Sequence, residues 1–238
     1  MLEAYAAYWD YNDAMAFVET LFATLANELF GSTQISMRID KEGNEHPIDL
    51  KTPWKRMTMK QSIAEYGNID VDHLTDDELK ERLAGCGLAP EKLDMTRGKL
   101  IALLFEEVAE PHLIQPHHIT DHPIETTPLC KPHREKAQRE EGLVERFESF
   151  FLGIECCNAY SELNDPELQR TLLEQQHEMR LAGDDEASPL DEEFIEAVCQ
   201  GMPPTGGFGI GIDRLCMLFT GATSIRDIVL FPVMRPEE

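Results

Sequence analysis

Three glycines at alternate positions, Gly207, Gly209 and Gly211, are the feature that most constrains the fold of this 238-residue chain. Side chains of a β-strand point alternately to its two faces, so a strand through this stretch has one face without side chains. Glycine weakens the interior of a strand and usually marks close approach by a ligand or by another part of the chain. The pattern predicts either a strand that forms the floor beneath a flat ligand, or a tight hairpin or helix packed closely on a strand.

The residues after the glycines favour a nucleotide over a dinucleotide cofactor. The spacing G-x-G-x-G differs from the G-x-G-x-x-G of dinucleotide-binding folds, and no strand–helix–strand unit follows it. Asp213 is predicted to cap a helix that contains Leu215 and Phe219, with Arg214 in its first turn. A guanidinium at this position could stack on a purine ring and contact phosphate oxygens.

Two glutamates, Glu148 and Glu155, lie on either side of a predicted hairpin turn at Leu152 and Gly153. A hairpin brings such carboxylates within reach of one Mg²⁺ ion, which prefers oxygen ligands and keeps waters and phosphates. An isolated pair of this kind is more often two exposed strand residues.

A second polar pattern follows the hairpin, because Asn158, Tyr160 and Glu162 alternate along the chain and therefore share a face. Their amide, hydroxyl and carboxylate groups suit the carboxylate, stem and ammonium group of an amino acid. With a two-residue turn, strict alternation would send Glu155 to the opposite face. One site with all these residues requires an extra residue in the strand, so we predict a β-bulge at or next to Cys156 and Cys157.

The composition is strongly acidic, with 45 Asp and Glu residues, 21 Lys and Arg residues and a net charge of −24. Phosphate contacts need Lys and Arg, so composition alone predicts that the chain does not bind nucleic acid. An acidic cleft instead favours a cationic substrate and a divalent metal. No apolar run approaches the length of a membrane span, and the six cysteines form no C-x-x-C pair. We expect a soluble cytoplasmic protein with reduced, buried thiols.

The remaining patterns predict an α+β fold, because strands occur as hairpins without regular strand–helix alternation. We expect an antiparallel sheet that carries the site on one face and helices on the other. The predicted elements are a strand over 3–11, a helix from Asn12 or Asp13 to Phe30, strands at Gln34–Ile39 and Ile48–Leu50 around a turn at 42–44, and helices over 167–182 and 191–200. A helical insertion is predicted over about 67–108, with Thr75 and Glu78 as a capping box and Thr96 as a second cap.

Five histidines between residues 112 and 133 raise the possibility of a zinc site. Two histidines four residues apart bind one metal only on a helix, whereas Pro116, Pro123 and Pro132 favour extended chain. The residues therefore disfavour a metal site in this segment.

Several long motifs resemble those of the lysyl-tRNA synthetase family, a class II aminoacyl-tRNA synthetase family. They are PPTGGFGIGIDRL with SIRDIVLFPVMRP, which match the third signature motif and the C-terminus, and DHPIETTPLCKPHR, ERFESFFLGIECCNAYSELNDPELQR and LEAYAAYWDYNDAM. The resemblance covers nearly the whole chain and is weakest between Gly43 and Leu104. It implies an antiparallel sheet flanked by helices, incomplete at its N-terminal end. It also implies a structural role for the histidine-containing segment, as a strand and loop near the acceptor end of the tRNA.

The resemblance also implies the substrates and the residues that bind them. Lysine would be bound by Glu3, Tyr5, Asn158, Tyr160, Glu162 and Gly207. ATP would be bound by Glu155, Cys156, Gly209, Gly211 and the catalytic Arg214, and Mg²⁺ by Glu148 and Glu155. The family implies tRNA(Lys) as a partner through parts mostly absent from this sequence, and a homodimer for the full-length protein.

The chain has no counterpart of the family's first motif or second-motif arginine, so we expect it to be a C-terminal piece. Two alternatives stay open. One is a stand-alone ligase that attaches a lysyl group to a protein. The other is a module that binds lysine or a nucleotide without catalysis.

Overall fold

The computed structural model describes residues 1–40, 43–89, 95–181 and 187–232, which form an α+β fold. The strands are β1 Leu2–Ala7, β2 Gln34–Ile39, β3 Glu45–Asp49, β4 Lys55–Thr58, β5 His117–Pro123, β6 Leu143–Phe151, β7 Ile154–Ser161 and β8 Thr205–Ile210. The helices are α1 Tyr11–Phe30, α2 Met59–Gly67, α3 Asp76–Gly85, α4 Arg97–Val108, α5 Lys136–Glu140, α6 Pro166–Leu181, α7 Glu192–Cys199 and α8 Ile212–Thr220.

Six of the strands form one sheet in the order β1-β8-β7-β6-β5-β4. Every neighbouring pair in it is antiparallel except β4 and β5, which are parallel. Strands β2 and β3 form a separate antiparallel pair. The predicted antiparallel α+β fold is confirmed, with one parallel pair at the edge of the sheet.

One face of the large sheet, called here the back face, packs against α1. Its core includes Phe22 and Val18 of the helix and Phe147, Ala159 and Phe208 of the sheet, all of them buried. Alternation places every second residue of β6, β7 and β8 in this core and leaves the others on the opposite face, the front face. The apolar back face therefore determines which side chains reach the front.

The start of α1 differs from the prediction by a few residues. Strand β1 ends at Ala7, and Tyr8 adopts a φ of 66°. Asp10, instead of Asn12 or Asp13, is the N-cap: its side chain accepts hydrogen bonds from both of those backbone N–H groups. The Asp13 side chain accepts in return from the Asp10 N–H, so the two aspartates form a capping box. The N-cap residue directly precedes the first turn of a helix, whose backbone N–H groups have no partner within the helix. The apolar pattern did not show at which residue that first turn begins.

Helices α2, α3 and α4 form a second core over part of the front face. Leu79, Leu83 and Leu104 are buried in it, together with Ile119 of β5 and Phe150 of β6. The prediction that helices lie only opposite the site is thus wrong, because these helices cover the β4–β5 side of the same face. The exposed remainder of the front face is formed by β6, β7, β8 and β1.

Within this helical segment, the predicted capping box of Thr75 and Glu78 is confirmed at the start of α3. Thr96 is the N-cap of α4 without a side-chain hydrogen bond. Residues 90–94 of the predicted 67–108 insertion and residue 42 of the predicted turn lie outside the described residues.

Two further findings concern membranes and thiols. None of the helices within the described ranges combines the length and the apolar character that a bilayer crossing needs. The six cysteines are all unpaired thiols, as the sequence predicts, but the expectation that they are buried holds only for Cys130, Cys156 and Cys157.

Candidate active site

The hairpin of β6 and β7 contains the predicted bulge. Its turn is Leu152 and Gly153, both with positive φ, which gives the two-residue turn expected from the sequence. Phe150 pairs with Glu155, but Ser149 pairs with Cys157, so Cys156 is an extra residue in β7. The predicted β-bulge is therefore confirmed at Cys156.

The bulge changes which residues share a face. Cys156 and Cys157 both lie in the back-face core, so Glu155 and Asn158 can both belong to the front face. The Cys156 side chain points away from the candidate site, and its carbonyl accepts a hydrogen bond from the Gly211 N–H at 3.1 Å. Only the backbone of Cys156 could contact ATP.

Cross-strand pairing arranges the front face in two rows. The first row contains Glu148 of β6, Asn158 of β7, Gly209 of β8 and Glu3 of β1. Neighbouring side chains in a row lie about 5 Å apart at their Cβ atoms. The row therefore joins one predicted metal ligand to two predicted lysine ligands across the glycine.

The second row contains Arg146, Tyr160, Gly207 and Tyr5. Glu162 follows directly after β7. A Cβ atom added to Gly207 would lie only 2.0 Å from Oε1 of Glu162, which is too close for two atoms that are not bonded. The Tyr5 ring lies beside it, with Cδ1 at 2.7 Å from the same position. Gly207 therefore gives Glu162 and Tyr5 room to lie directly on the backbone.

Burial has a strong effect on Glu162. It raises the pKa of this carboxyl group to about 7, and no described cation offsets the effect. Burial, followed by the negative charge of Glu162, raises the pKa of Tyr5 as well. A buried carboxylate without a cation is the electrostatic counterpart of a bound ammonium group.

The second carboxylate group of the site is the pair Glu148 and Glu155. Burial raises the pKa of Glu148, and the charge of Arg146 opposes this. The pKa of Glu155 is raised by burial first and then by the charge of Glu148, and Arg214 opposes the increase. A carboxylate whose ionisation is opposed by a second carboxylate fits a divalent cation between the two.

The described residues contain no cluster of three or more His, Cys, Asp or Glu side chains able to hold a metal. The pair can still fit Mg²⁺, because this ion is often bound through one or two carboxylates together with substrate phosphates. Glu148 and Glu155, with Arg146, line a cleft of about 950 Å³ between the sheet, α4 and α6. Glu162 lines a different cleft, of about 340 Å³, which shares no lining residue with the first.

Arg214 lies in the first turn of α8 and contacts the hairpin. Its Nη1 donates to the Glu155 carbonyl at 2.7 Å and to Oε2 of Glu155 at 3.2 Å. The helix is capped by Gly211 and not by the predicted Asp213, because β8 already ends at Ile210 and α8 begins at Ile212. A Cβ atom at Gly211 would lie 3.3 Å from Cδ of Arg214, so this side chain extends over the glycine.

Arg146 is a site residue that the sequence analysis did not identify. Its guanidinium contacts Glu148 and Asn158 and lies over the Tyr160 ring, 5.6 Å from the ring centre. The signal was present in the sequence, since Arg146 precedes Glu148 by two residues and therefore shares its face.

The predicted structural role of the histidine segment agrees with the geometry of β5. His117 hydrogen-bonds the Gln115 carbonyl, His118 bonds Ser149, and His122 bonds the Ile119 carbonyl. Each ring therefore has a separate partner.

One family model and several named proteins have sequences similar to that of this chain. The sequence model described as "tRNA synthetases class II (D, K and N)" matches residues 1–235. A protein named lysine–tRNA ligase from Chlamydia pneumoniae is 56% identical over 239 residues, which cover 99% of this chain and 45% of the relative. Proteins of the same name from Saccharolobus solfataricus and Clostridium perfringens are each 46% identical over 98% and 100% of this chain.

This chain spans a little less than half the length of these relatives, 45% in two of them and 46% in the third. The family model, in contrast, matches nearly all of the chain. The chain therefore belongs to the family of class II tRNA synthetases (D, K and N).

Proposed function

We propose that this chain supplies part of the active site of a lysine–tRNA ligase, which activates L-lysine with ATP and transfers it to tRNA(Lys). The observation that carries the proposal is the front face itself. It combines a buried carboxylate that lacks a cation, Glu162, with a carboxylate pair and an arginine at the other end of one glycine floor. The names of the relatives agree with this specificity.

Lysine would lie along β7 with its ammonium group on Glu162 and Tyr5. The front-face residues from Asn158 to Glu162 span roughly 13 Å of strand, so the two ends of one amino acid would meet different side chains. Tyr160 lies between those ends, and Glu3 lies across the glycine floor from Asn158. The arrangement selects a long cationic side chain, because a neutral analogue leaves Glu162 buried without a partner.

ATP would lie over Gly209 and Gly211 with Arg214 on its ring or phosphates. In the activation step, a lysine carboxylate oxygen attacks the α-phosphorus, the bond from that phosphorus to the β-phosphate oxygen breaks, and pyrophosphate leaves. The protein contributes orientation and charge neutralisation and no nucleophile of its own. When bound, Mg²⁺ on Glu148 and Glu155 would neutralise phosphate charge.

The test is lysine-dependent exchange of labelled pyrophosphate into ATP, measured on the natural full-length protein. Lysine should support exchange, and norleucine, which lacks the side-chain ammonium group, should not. Glu162→Gln should reduce exchange, whereas Arg170→Met should not, because the Arg170 side chain pairs with Glu192 of α7 and contacts none of the proposed ligands. Binding of lysine and ATP without any exchange would point to a binding module instead.

The family resemblance adds tRNA(Lys) and a second copy of the protein as partners. Aminoacylation of tRNA(Lys) and sedimentation of the full-length protein test these two points. If the lysyl group is attached to a protein and not to tRNA(Lys), the stand-alone ligase is favoured.

A further inference from the structure

Arg146 is the most constrained cation on the front face. It lies on β6 and is only 9% exposed. Its Nε donates to Oδ1 of Asn158 at 3.1 Å, its Nη1 donates to Oγ1 of Thr126 at 3.1 Å, and its Nη2 donates to Oε1 of Glu148. Three of its nitrogens are thus directed at three different side chains, a geometry that the planar guanidinium fixes.

The contact with Asn158 determines how that amide is oriented. An asparagine side chain has an acceptor oxygen on one side and a donor NH₂ group on the other, whereas a guanidinium only donates. Arg146 therefore holds Oδ1 of Asn158 toward β6. The two Nδ2 protons are left on the other side, toward β8.

The residue across from Asn158 on β8 is Gly209, which has no side chain to meet those protons. A Cβ atom at Gly209 would find its nearest neighbour at 3.6 Å, the sulfur atom of Met1. Met1 and Glu3 border this position, and among the described residues the Asn158 NH₂ group donates to no other side chain. A carboxylate is the group that such donors would attract there.

We propose that Arg146 is a positioning residue for the amino acid substrate, which fixes the Asn158 amide so that it donates to the substrate carboxylate. This inference rests on the proposed lysine site. Without Arg146, the amide can rotate and present its oxygen, which would repel a carboxylate. The residue acts through Asn158 and makes no contact with the reacting atoms itself.

A simpler role for Arg146 is to neutralise the buried Glu148, to which it also donates. The two roles predict different results for Asn158→Asp. That variant keeps an oxygen for the Arg146 Nε and removes the donors, and the charge that it adds lies against the Arg146 guanidinium. If Asn158 only completes the hydrogen bonds of Arg146, the variant should bind lysine normally.

The experiment compares L-lysine with L-lysinol, which carries a hydroxymethyl group in place of the carboxylate. Binding is measured by calorimetry on the natural full-length protein and on its Arg146→Met and Asn158→Asp variants. We expect both variants to bind lysine about tenfold more weakly, the loss of one hydrogen bond to a charged group, and to bind lysinol within about twofold of the unchanged protein. Arg170→Met, which breaks an ion pair far from the site, should change neither affinity.

Because Arg146→Met leaves Glu148 without its cation, this variant has the greater risk of misfolding. Asn158→Asp retains the charges of Arg146 and Glu148 and tests the amide donors, and a loss in Arg146→Met that affects lysine but not lysinol tests whether Arg146 holds those donors in place. Unchanged lysine affinity in Asn158→Asp, or an equal loss for lysine and lysinol, would overturn the role of Arg146. If Glu162→Gln also leaves lysine affinity unchanged, or if the unchanged protein binds no lysine, the lysine site itself is wrong and this inference fails with it.

Discussion

The carboxylate of Glu162 lies directly on the backbone of Gly207, since a Cβ atom added to that glycine would be 2.0 Å from Oε1. No side chain larger than hydrogen is compatible with this contact unless Glu162 moves. The pair therefore joins a backbone requirement of β8 to the charge that is proposed to select the substrate.

We predict that Gly207→Ala displaces Glu162 and Tyr5 and weakens lysine binding at least about tenfold, as expected for loss of a charged contact. Gly85→Ala is the matched control, because Gly85 lies at the end of α3, outside the proposed site, and a Cβ atom there would have no neighbour within 4 Å. It should leave lysine affinity within about twofold. Calorimetry of the two variants makes the comparison, and equal effects would show that Gly207 has no special relation to Glu162.

The raised pKa of Glu162 predicts how lysine binding depends on pH. Only the ionised carboxylate can pair with the ammonium group, so affinity should rise about tenfold per pH unit up to pH about 7 and then level off. Titrations at pH 5 to 8 test this. The Glu162→Gln variant should have weak, pH-independent binding, whereas Glu193→Gln on α7 should behave like the unchanged protein.

The same pKa predicts a change in stability. The folded protein retains a proton on Glu162 that the unfolded chain, with the usual pKa of 4.5, releases. This contribution to the free energy of unfolding is complete below pH 4.5 and is lost as the pH rises through about 7. Urea unfolding should therefore show Glu162→Gln gaining stability relative to the unchanged protein across this interval, by at most about 3 kcal/mol. A constant difference would contradict the raised pKa.

Glu155 should illustrate a trade-off between stability and ligand binding. Burial and the charge of Glu148 disfavour its ionised form, so Glu155→Gln should melt at a higher temperature than the unchanged protein at pH 8. This advantage should shrink toward pH 5, where the unchanged carboxyl group is protonated more easily. The rise in melting temperature caused by Mg²⁺ with ATP should be smaller in the variant. An undiminished rise would remove Glu155 from the proposed metal site.

The helical segment and the sheet should unfold together. Phe105 of α4 packs edge-on against Phe150 of β6, with ring centres 5.5 Å apart, two residues from Glu148. Phe105→Ala should cost about 3–5 kcal/mol and shift one common unfolding transition, followed by both circular dichroism and tryptophan fluorescence. Leu103→Ala on the half-buried side of α4 should cost less. Two separate transitions would indicate an independent helical domain.

The hairpin and its bulge could be predicted from the sequence because they follow from the number of residues between the turn, Glu155 and Asn158. Glu155 and Asn158 are three residues apart, and only an extra residue lets them share a face. The contacts of Arg146 could not be predicted in this way. Thr126 is 20 residues from it in sequence, and the contact with Asn158 depends on the exact register of two strands.

The errors of the sequence reading have the same origin in tertiary structure. An apolar helix pattern shows that a helix packs on something but does not show on which face of the sheet, so the position of α2, α3 and α4 could not be assigned. Asp213 has the chemistry of a helix cap, but the end of β8 at Ile210 leaves Gly211 as the preceding residue. Aspartate is a suitable helix cap, but the length of β8 determined where α8 begins and therefore which residue caps it.

The bulge has a second effect, which concerns the backbone and not the side chains. In a regular strand, successive carbonyl groups point to opposite neighbours, so each neighbour receives only every second one. At the bulge, the successive carbonyls of Glu155 and Cys156 both accept hydrogen bonds from the β8–α8 junction, one from Arg214 and one from the Gly211 N–H. Deleting Cys156 would restore strict alternation and keep Glu155 and Asn158 on one face, but two donors would then compete for a single acceptor. The extra residue thus anchors the arginine of α8 to the hairpin that carries the carboxylates.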